Sequence, residues 1–157
     1  MKISFWTIGK QHEKYIIQGV DDFTDRIKRY YPVGWNIIPP PKNAGILSEA
    51  ELKKAEASLV INALEKDDYL VVLDENGKMF SSVQLAGFLQ QRANESSKHI
   101  VFLIGGAYGI DEQVFKHAKI KWSLSTLTFP HQLVRLILAE QVYRACTILR
   151  NEKYHHR

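Results

Sequence analysis

Strand-like and helix-like segments alternate five times along this chain, and that order constrains its fold more than any other feature. Two of the strand-like runs, residues 70–73 and 101–104, are continuously apolar. A strand that is apolar on both faces is typical of a parallel sheet covered by helices on both sides. The sequence therefore predicts the α/β class, with a three-layer sandwich around a mostly parallel sheet.

Periodicity and helix-capping patterns predict the individual elements. Ser48 with Glu51, and Ser81 with Gln84, have the spacing of capping boxes and predict the starts of two helices. We expect a turn at Gly77 between two elements. The predicted strands are 3–9, 35–40, 69–74, 99–106 and 121–127. The predicted helices are 13–31, 48–66, 81–94, 111–118 and 130–151.

The composition of the chain fits one globular domain over residues 1–157, since 45% of the 157 residues are hydrophobic. A formal charge of +4 permits a nucleic-acid partner without requiring one. Cys146 is the only cysteine, which excludes an internal disulfide and a zinc site built on cysteines. We see neither a signal-peptide pattern nor a run of ~20 apolar residues, so we expect a cytoplasmic protein with no metal and no membrane partner.

Three strand ends carry the residue types of a ligand pocket. Leu73 and Asp74 end one predicted strand, Gly105 and Gly106 end the next, and residues 125–128 end the last. In open parallel sheets, ligands bind beyond the carboxyl ends of the strands. Glycines there leave the main chain bare, so that a flat ring or a ribose could lie against it. We therefore predict that these segments form three walls of one pocket.

Common nucleotide and hydrolase motifs are absent from the sequence. The glycines read GGxxG after the fourth strand, whereas a dinucleotide site requires GxGxxG after the first strand. A phosphate-binding loop would need a Gly-Lys-Ser/Thr ending, which is missing. We also find neither a Ser-His-Asp pattern, nor HExxH, nor a carboxylate cluster. Ordinary nicotinamide and ATP enzymes are thus disfavoured.

The last predicted helix is apolar over an unusually wide arc, about 200° at 100° per residue. A surface helix needs only one narrower apolar stripe. We interpret the excess as a contact with a second copy of the chain across a two-fold axis, with Leu138 and Val142 as interface positions. The apolar residues are Leu133, Val134, Ile137, Leu138, Ala139, Val142, Ala145, Cys146, Ile148 and Leu149.

Four motifs of this chain resemble one known family over its whole length. They are LDENGKMFSS (73–82), LIGGAYG (103–109), LSTLTFPHQLVRLILAEQVYRA (124–145) and the terminal YHHR (154–157). The family is that of the RlmH proteins, ribosomal large-subunit RNA pseudouridine N3-methyltransferases of the SPOUT class. The resemblance implies a C-terminal trefoil knot, a homodimer through the C-terminal helix, and S-adenosylmethionine bound in the knot. The implied substrate is 23S rRNA of the assembled ribosome, which would become 3-methylpseudouridine.

The resemblance also implies site residues, all of them in the motifs above. Cofactor contacts would fall on the three predicted pocket walls: Leu73, Gly105, Leu124, Ser125, Thr126, Leu127, Thr128 and Phe129. Methyl transfer to a pseudouridine N3 requires removal of a proton, which a base or a cationic neighbour would assist. The candidates for this role are His155, Tyr154, Arg135 and Arg144.

Two other classes of function remain open from the residues alone. A non-catalytic α/β protein that binds RNA or the ribosome would explain the positive charge but would leave the glycine pocket without a ligand. A small-molecule nucleotide enzyme would use the pocket but would leave the positive excess unexplained. Binding of S-adenosylmethionine and dependence of turnover on ribosomes would separate these classes from a ribosomal methyltransferase.

Overall fold

The fold was obtained as a computed structural model, and the structure describes residues 1–156, so Arg157 lies outside the described residues. The chain forms five strands and five helices, with a short 3-10 turn at Ala44–Ile46. The strands are β1 (Lys2–Ile8), β2 (Val33–Ile38), β3 (Tyr69–Met79), β4 (His99–Ile104) and β5 (Ala118–Ser123). The helices are α1 (Lys14–Ile27), α2 (Glu49–Ala63), α3 (Ser82–Asn94), α4 (Glu112–Phe115) and α5 (His131–Leu149).

All five strands pair in parallel, in the order β2-β1-β4-β3-β5. Neighbouring residues of a strand face opposite sides, so Phe5 packs into one apolar core and Trp6 into the other. The first core includes residues of α1, α3 and α5, and the second includes residues of α2 and α4. The predicted α/β sandwich with helices on both faces of a parallel sheet is confirmed.

Both predicted capping boxes are present in the structure. The hydroxyl of Ser48 accepts a hydrogen bond from the backbone N–H of Glu51, and the Glu51 side chain accepts one from the N–H of Ser48. Ser81 and Gln84 make the same reciprocal pair at the start of α3. Each pair satisfies backbone donors that a helix start would otherwise leave without a partner.

Two predicted elements differ from the structure near the end of the sheet. The last strand covers 118–123 and not 121–127, because residues 118–123 pair with β3 while 124–129 form a loop. β3 in turn continues through Met79 past an irregularity between Leu73 and Lys78. Gly77 lies inside this extension, where a Cβ would be 2.6 Å from the Lys121 backbone. The predicted turn at Gly77 is therefore wrong, and the glycine permits close strand packing instead.

The wide apolar arc of α5 is largely buried within a single chain. Leu138 and Val142 are both 0% exposed in the core between α5 and the sheet, so their predicted place at a subunit interface is wrong. The opposite face of α5, which is partly open to solvent and is called its exposed face below, carries residues that are half-buried. They are Leu133, Ile137, Glu140, Arg144 and Ile148. No helix among residues 1–156 is both long enough and apolar enough to cross a membrane.

Candidate functional site

The three predicted walls lie around one pocket at the carboxyl edge of the sheet. The pocket has a volume of about 420 Å³ and lies between the irregular part of β3, at residues 73–76, and the segments that follow β4 and β5. The start of α5 closes it with His131 and Val134. Of the predicted contacts, the structure places these at the pocket: Leu73, Gly105, Leu124, Ser125, Leu127, Thr128 and Phe129. Thr126 is exposed and is not among the lining residues.

The glycine motif forms a tight turn that is one wall of the pocket. Gly106 and Gly109 form an isolated antiparallel bridge, and Gly109 has φ 88°, a conformation that favours glycine. A Cβ on Gly105 would lie 2.6 Å from the Cδ1 atom of Ile110, and a Cβ on Gly106 would lie 2.8 Å from the Glu56 carboxylate. The missing side chains thus make room for protein atoms, whereas the sequence suggested room for a ligand.

Hydrogen bonds between neighbouring residues fix the loop that follows β5. The Ser123 hydroxyl donates to the carbonyl of Ser125 at 2.9 Å, and the Ser125 hydroxyl accepts from the N–H of Leu127 at 3.0 Å. The Thr128 hydroxyl donates to the Glu75 carboxylate, in the irregular part of β3, at 3.4 Å. With its backbone held in this way, the loop presents the Leu127 side chain, which is 66% exposed.

The lining of this pocket suits a ligand with an apolar ring and polar edges. Leu124, Phe129 and Val134 supply apolar walls, while loop backbone supplies donors and acceptors. The volume falls within the range of small-molecule sites, roughly 300–1,000 Å³. Asp74 and Glu75 add carboxylates to the lining. These features fit a small molecule that combines an apolar ring, polar edges and a positive charge.

Three of the four predicted catalytic residues meet at a second place, on the exposed face of α5. The Arg144 guanidinium donates to Glu140 from Nε at 3.0 Å, and its Nη1 lies 3.2 Å from Nδ1 of His155. The Tyr154 hydroxyl donates to the same Glu140 oxygen at 3.0 Å. These four residues are called the tail cluster below.

Packing within the tail cluster orders the end of the chain. The Tyr154 ring lies 4.7 Å from the Tyr143 ring in an edge-on arrangement. The Arg144 guanidinium lies 4.8 Å from the centre of the Tyr154 ring. Burial, and then the hydrogen bond to Glu140, raises the pKa of Tyr154, so this phenol keeps its proton at neutral pH. Sequence reasoning did not include Glu140 as a site residue, although its (i, i+4) spacing from Arg144 predicts their ion pair.

Arg135 lies apart from the other three candidates. It is 2% exposed on the inner side of α5, where Nη1 is 3.2 Å from Nδ1 of His12. Its Nε is buried without a hydrogen-bond partner in the part of the chain that the structure describes. Burial lowers the pKa of Arg135 from its ordinary value, with Glu13 opposing. The structure therefore connects Arg135 to the segment after β1 and not to the tail cluster.

The pocket and the tail cluster lie at different ends of one helix. Val134 lines the pocket near the start of α5, whereas Arg144 belongs to its second half. At 1.5 Å of rise per residue, ten residues separate them by about 15 Å along the axis. A single chain thus holds two groups of site residues that do not meet.

A Ser-His-Asp arrangement, which the sequence did not suggest, lies at the opposite edge of the sheet. The Ser4 hydroxyl is 2.7 Å from Nε2 of His99, and Nδ1 of His99 is 2.8 Å from Asp68. Ser4 is only 6% exposed; Ser4 and His99 lie near the amino ends of β1 and β4, and Asp68 directly precedes β3. This places them far from the pocket, where they connect β1, β4 and the segment before β3. Over residues 1–156, no three His, Cys, Asp or Glu side chains group as a metal site would require.

Comparison with known proteins gives the class to which this architecture belongs. A family model described as "Predicted SPOUT methyltransferase" matches residues 1–155. The chain therefore belongs to the SPOUT methyltransferase family.

Curated relatives agree with the resemblance to the RlmH family, which is confirmed. A Parabacteroides distasonis protein named "Ribosomal RNA large subunit methyltransferase H" is 46% identical over 156 residues, 99% of both chains. Relatives with the same name come from Flavobacterium johnsoniae, 47% identical over 99% of both chains, and Cytophaga hutchinsonii. The Cytophaga relative is 44% identical over 99% of this chain and 100% of its own length.

Proposed function

We propose that this chain methylates N3 of a pseudouridine in 23S rRNA, with S-adenosylmethionine as the methyl donor and the assembled ribosome as the substrate. The observation that carries the proposal is the convergence of the irregular part of β3 and the ends of β4 and β5 on one pocket, in a chain of the SPOUT methyltransferase family. The relatives' printed name supports large-subunit rRNA as the substrate class. We also expect the trefoil knot and the cytoplasmic location of the family resemblance.

In this proposal the pocket residues hold the methyl donor, whose sulfonium supplies the transferred methyl group. Leu124, Leu127 and Phe129 would enclose the adenine, and the backbone of 124–129 would read its polar edge. Leu73 and Gly105 would complete the remaining walls. Ile110 and Glu56 fill the space beside the two glycines, so the turn is already formed before a ligand binds.

The distance between the pocket and the tail cluster favours a homodimer. Ile137 lies near the middle of the exposed face of α5, about equally far along the chain from His131 and Arg144. In an antiparallel pair of α5 helices crossing beside Ile137, a two-fold axis would bring His131 of one copy opposite Arg144 of the other. The tail cluster of one copy would then face the pocket of its partner. Two such composite sites would form in each dimer.

The tail cluster has the chemistry that the acceptor base needs. As the N3–methyl bond forms and the methyl–sulfur bond breaks, the N3 proton must leave. Arg144 would stabilise negative charge on the base, and His155 beside it would accept the proton. Tyr154 keeps its proton and would donate a hydrogen bond or stack on the base. We do not extend this proposal to Arg135, which is buried elsewhere.

A non-catalytic RNA-binding protein is the main alternative, and one experiment separates it from the proposal. The gene is deleted from its host, and digested ribosomal RNA is analysed for 3-methylpseudouridine by mass spectrometry. We expect the nucleoside to disappear and to return with the wild-type chain, but not with an Arg144→Ala chain. Purified ribosomes from the deletion strain should accept methyl groups, whereas free RNA should be a poor substrate. Retention of the nucleoside in the deletion strain would refute the proposal.

A further inference from the structure

Glu56 is a buried carboxylate that the proposed chemistry does not use. It lies on α2 and is only 8% exposed. Within residues 1–156 its carboxylate forms no ion pair, and its oxygens are not among the fully buried polar atoms that lack a hydrogen-bond partner, so they keep a small contact with solvent. Burial alone raises the pKa of this carboxyl group. An acid in this position costs stability unless something compensates its charge.

The Glu56 carboxylate lies directly behind the glycine turn of the pocket. Both of its oxygens would be 2.8 Å from a Cβ on Gly106. A cavity of about 10 Å³ lies on the same side of the turn as Glu56, and Lys53 and Asp111 line it together with Glu56. Gly109 and Ile110 line both this cavity and the main pocket. The turn is therefore a thin partition, with a carboxylate on one side and the candidate ligand space on the other.

A buried charge affects such a pocket more strongly than an exposed one. Glu75 is exposed and Asp74 partly so, which means that water and salt screen their fields. The field of Glu56 passes through the packed backbone of the turn, where the effective dielectric constant is lower. Among the acids near the pocket, Glu56 therefore has the least screened effect on a charge inside it.

We propose that Glu56 supplies the negative charge that makes this pocket prefer a cationic sulfonium ligand over its neutral thioether product. This inference rests on the proposed function, because it assumes that S-adenosylmethionine occupies the main pocket. Glu56 acts through the turn without touching the ligand and is thus a positioning residue. Its negative charge raises the affinity for the cationic methyl donor. After methyl transfer the neutral S-adenosylhomocysteine no longer has this attraction and is bound more weakly.

The test compares two ligands that differ in charge. Dissociation constants of S-adenosylmethionine and S-adenosylhomocysteine are measured by calorimetry for the wild type and for Glu56→Gln, which keeps the shape but removes the charge. With the turn between the two charges, an effective dielectric constant of about 20 and screening by salt, we expect a selective loss of roughly tenfold for S-adenosylmethionine. Glu49→Gln, an exposed position on the same helix, should leave both affinities unchanged.

The outcomes are distinct for the two proposals. If Glu56→Gln weakens both ligands equally, Glu56 only supports the turn and the inference is overturned. A selective loss in Asp74→Asn with none in Glu56→Gln also overturns it, because the charge then comes from Asp74. If the wild-type protein binds neither ligand, the proposed function is refuted, and with it the premise of this inference.

A wild-type measurement keeps the inference testable if Glu56→Gln does not fold. The groups that face Glu56 across the small cavity are Lys53 and Asp111. A cation in the main pocket should lower the pKa of Glu56, which burial raises, so binding should release protons in the acidic range where this carboxyl group titrates. Calorimetry in two buffers of different ionisation heat should detect this release with S-adenosylmethionine and not with S-adenosylhomocysteine. Equal release with both ligands would overturn the inference.

Discussion

The Nη1 atom of Arg144 lies 3.2 Å from Nδ1 of His155, a residue eleven positions further along the chain. This contact holds the terminal segment against the exposed face of α5. Because the pocket is formed by other segments, removing the tail should affect the acceptor side of the reaction and not the cofactor side.

We expect deletion of residues 154–157 to leave S-adenosylmethionine binding nearly intact and to lower methyl transfer by roughly 10²-fold or more, the range of a lost acid-base group. Titration calorimetry measures the binding of S-adenosylmethionine, and methyl transfer to purified ribosomes measures the activity. Deletion of 156–157 alone is the control and should keep activity. Full activity after the longer deletion would exclude Tyr154 and His155 from the chemistry.

The contact between Gly105 and Ile110 leads to a prediction about the pocket wall. In the wild type, S-adenosylhomocysteine at about 100 times its Kd should stabilise the fold by about 2.7 kcal/mol and raise Tm by roughly 5–10 °C. Gly105→Ala should reduce this shift, because its Cβ would push Ile110, 2.6 Å away, out of the wall. A Gly105→Ala, Ile110→Ala double variant should recover part of it.

Gly87→Ala is the matched control for the pocket wall, since a Cβ there meets nothing within 4 Å. Thermal unfolding with and without ligand gives the shift for each variant. An unchanged shift in Gly105→Ala would remove this glycine from the site, and no shift in the wild type would count against the pocket itself.

Substitutions at two neighbouring residues of α5 should distinguish an effect on dimer formation from an effect on folding. Ile137 lies on the exposed face, whereas Leu138 is 0% exposed in the core. Ile137→Glu should give a folded monomer without methyl transfer activity, because the composite sites need both copies. Leu138→Glu should unfold the chain, since even Leu→Ala in a core costs about 2–5 kcal/mol and a buried charge costs more. Sedimentation and circular dichroism measure the two effects, and a monomeric wild type at micromolar concentration would contradict the dimer.

The contact between His12 and Arg135 predicts a pH effect on stability. Burial, followed by the Arg135 charge, lowers the pKa of His12 below its ordinary 6.5, with Asp21 opposing. Below about pH 6.5 the unfolded chain therefore binds a proton that the folded chain still excludes, so acidification lowers the free energy of unfolding. In His12→Gln this loss should be smaller. Urea unfolding from pH 7 to pH 5 measures it, with the exposed His117→Gln as a control that should follow the wild type.

Local patterns allowed much of the fold and the pocket to be predicted. Continuously apolar strands indicated a parallel sheet, and residues such as Leu73 and Gly105 lie at its carboxyl edge because parallel strands all end there. β5 was misplaced because its alternating residues 118–123 are those of a half-covered edge strand, and the following loop is also rich in apolar residues. The contacts of Glu56 with Gly106 and of Arg135 with His12 join residues far apart in sequence, which periodicity does not reveal.

The Ser4, His99 and Asp68 arrangement is another contact that sequence spacing does not reveal, since Ser4 and His99 lie 95 residues apart. We expect it to stabilise the amino edge of the sheet and to have no role as a nucleophile, because Ser4 is buried and the pocket lies at the opposite edge. Ser4→Ala should cost about 1–2 kcal/mol by leaving a nitrogen of His99 without its partner, while methyl transfer stays unchanged. Urea unfolding measures the first effect. Hydrolysis of p-nitrophenyl acetate by the wild type that disappears in Ser4→Ala would show instead that this serine reacts.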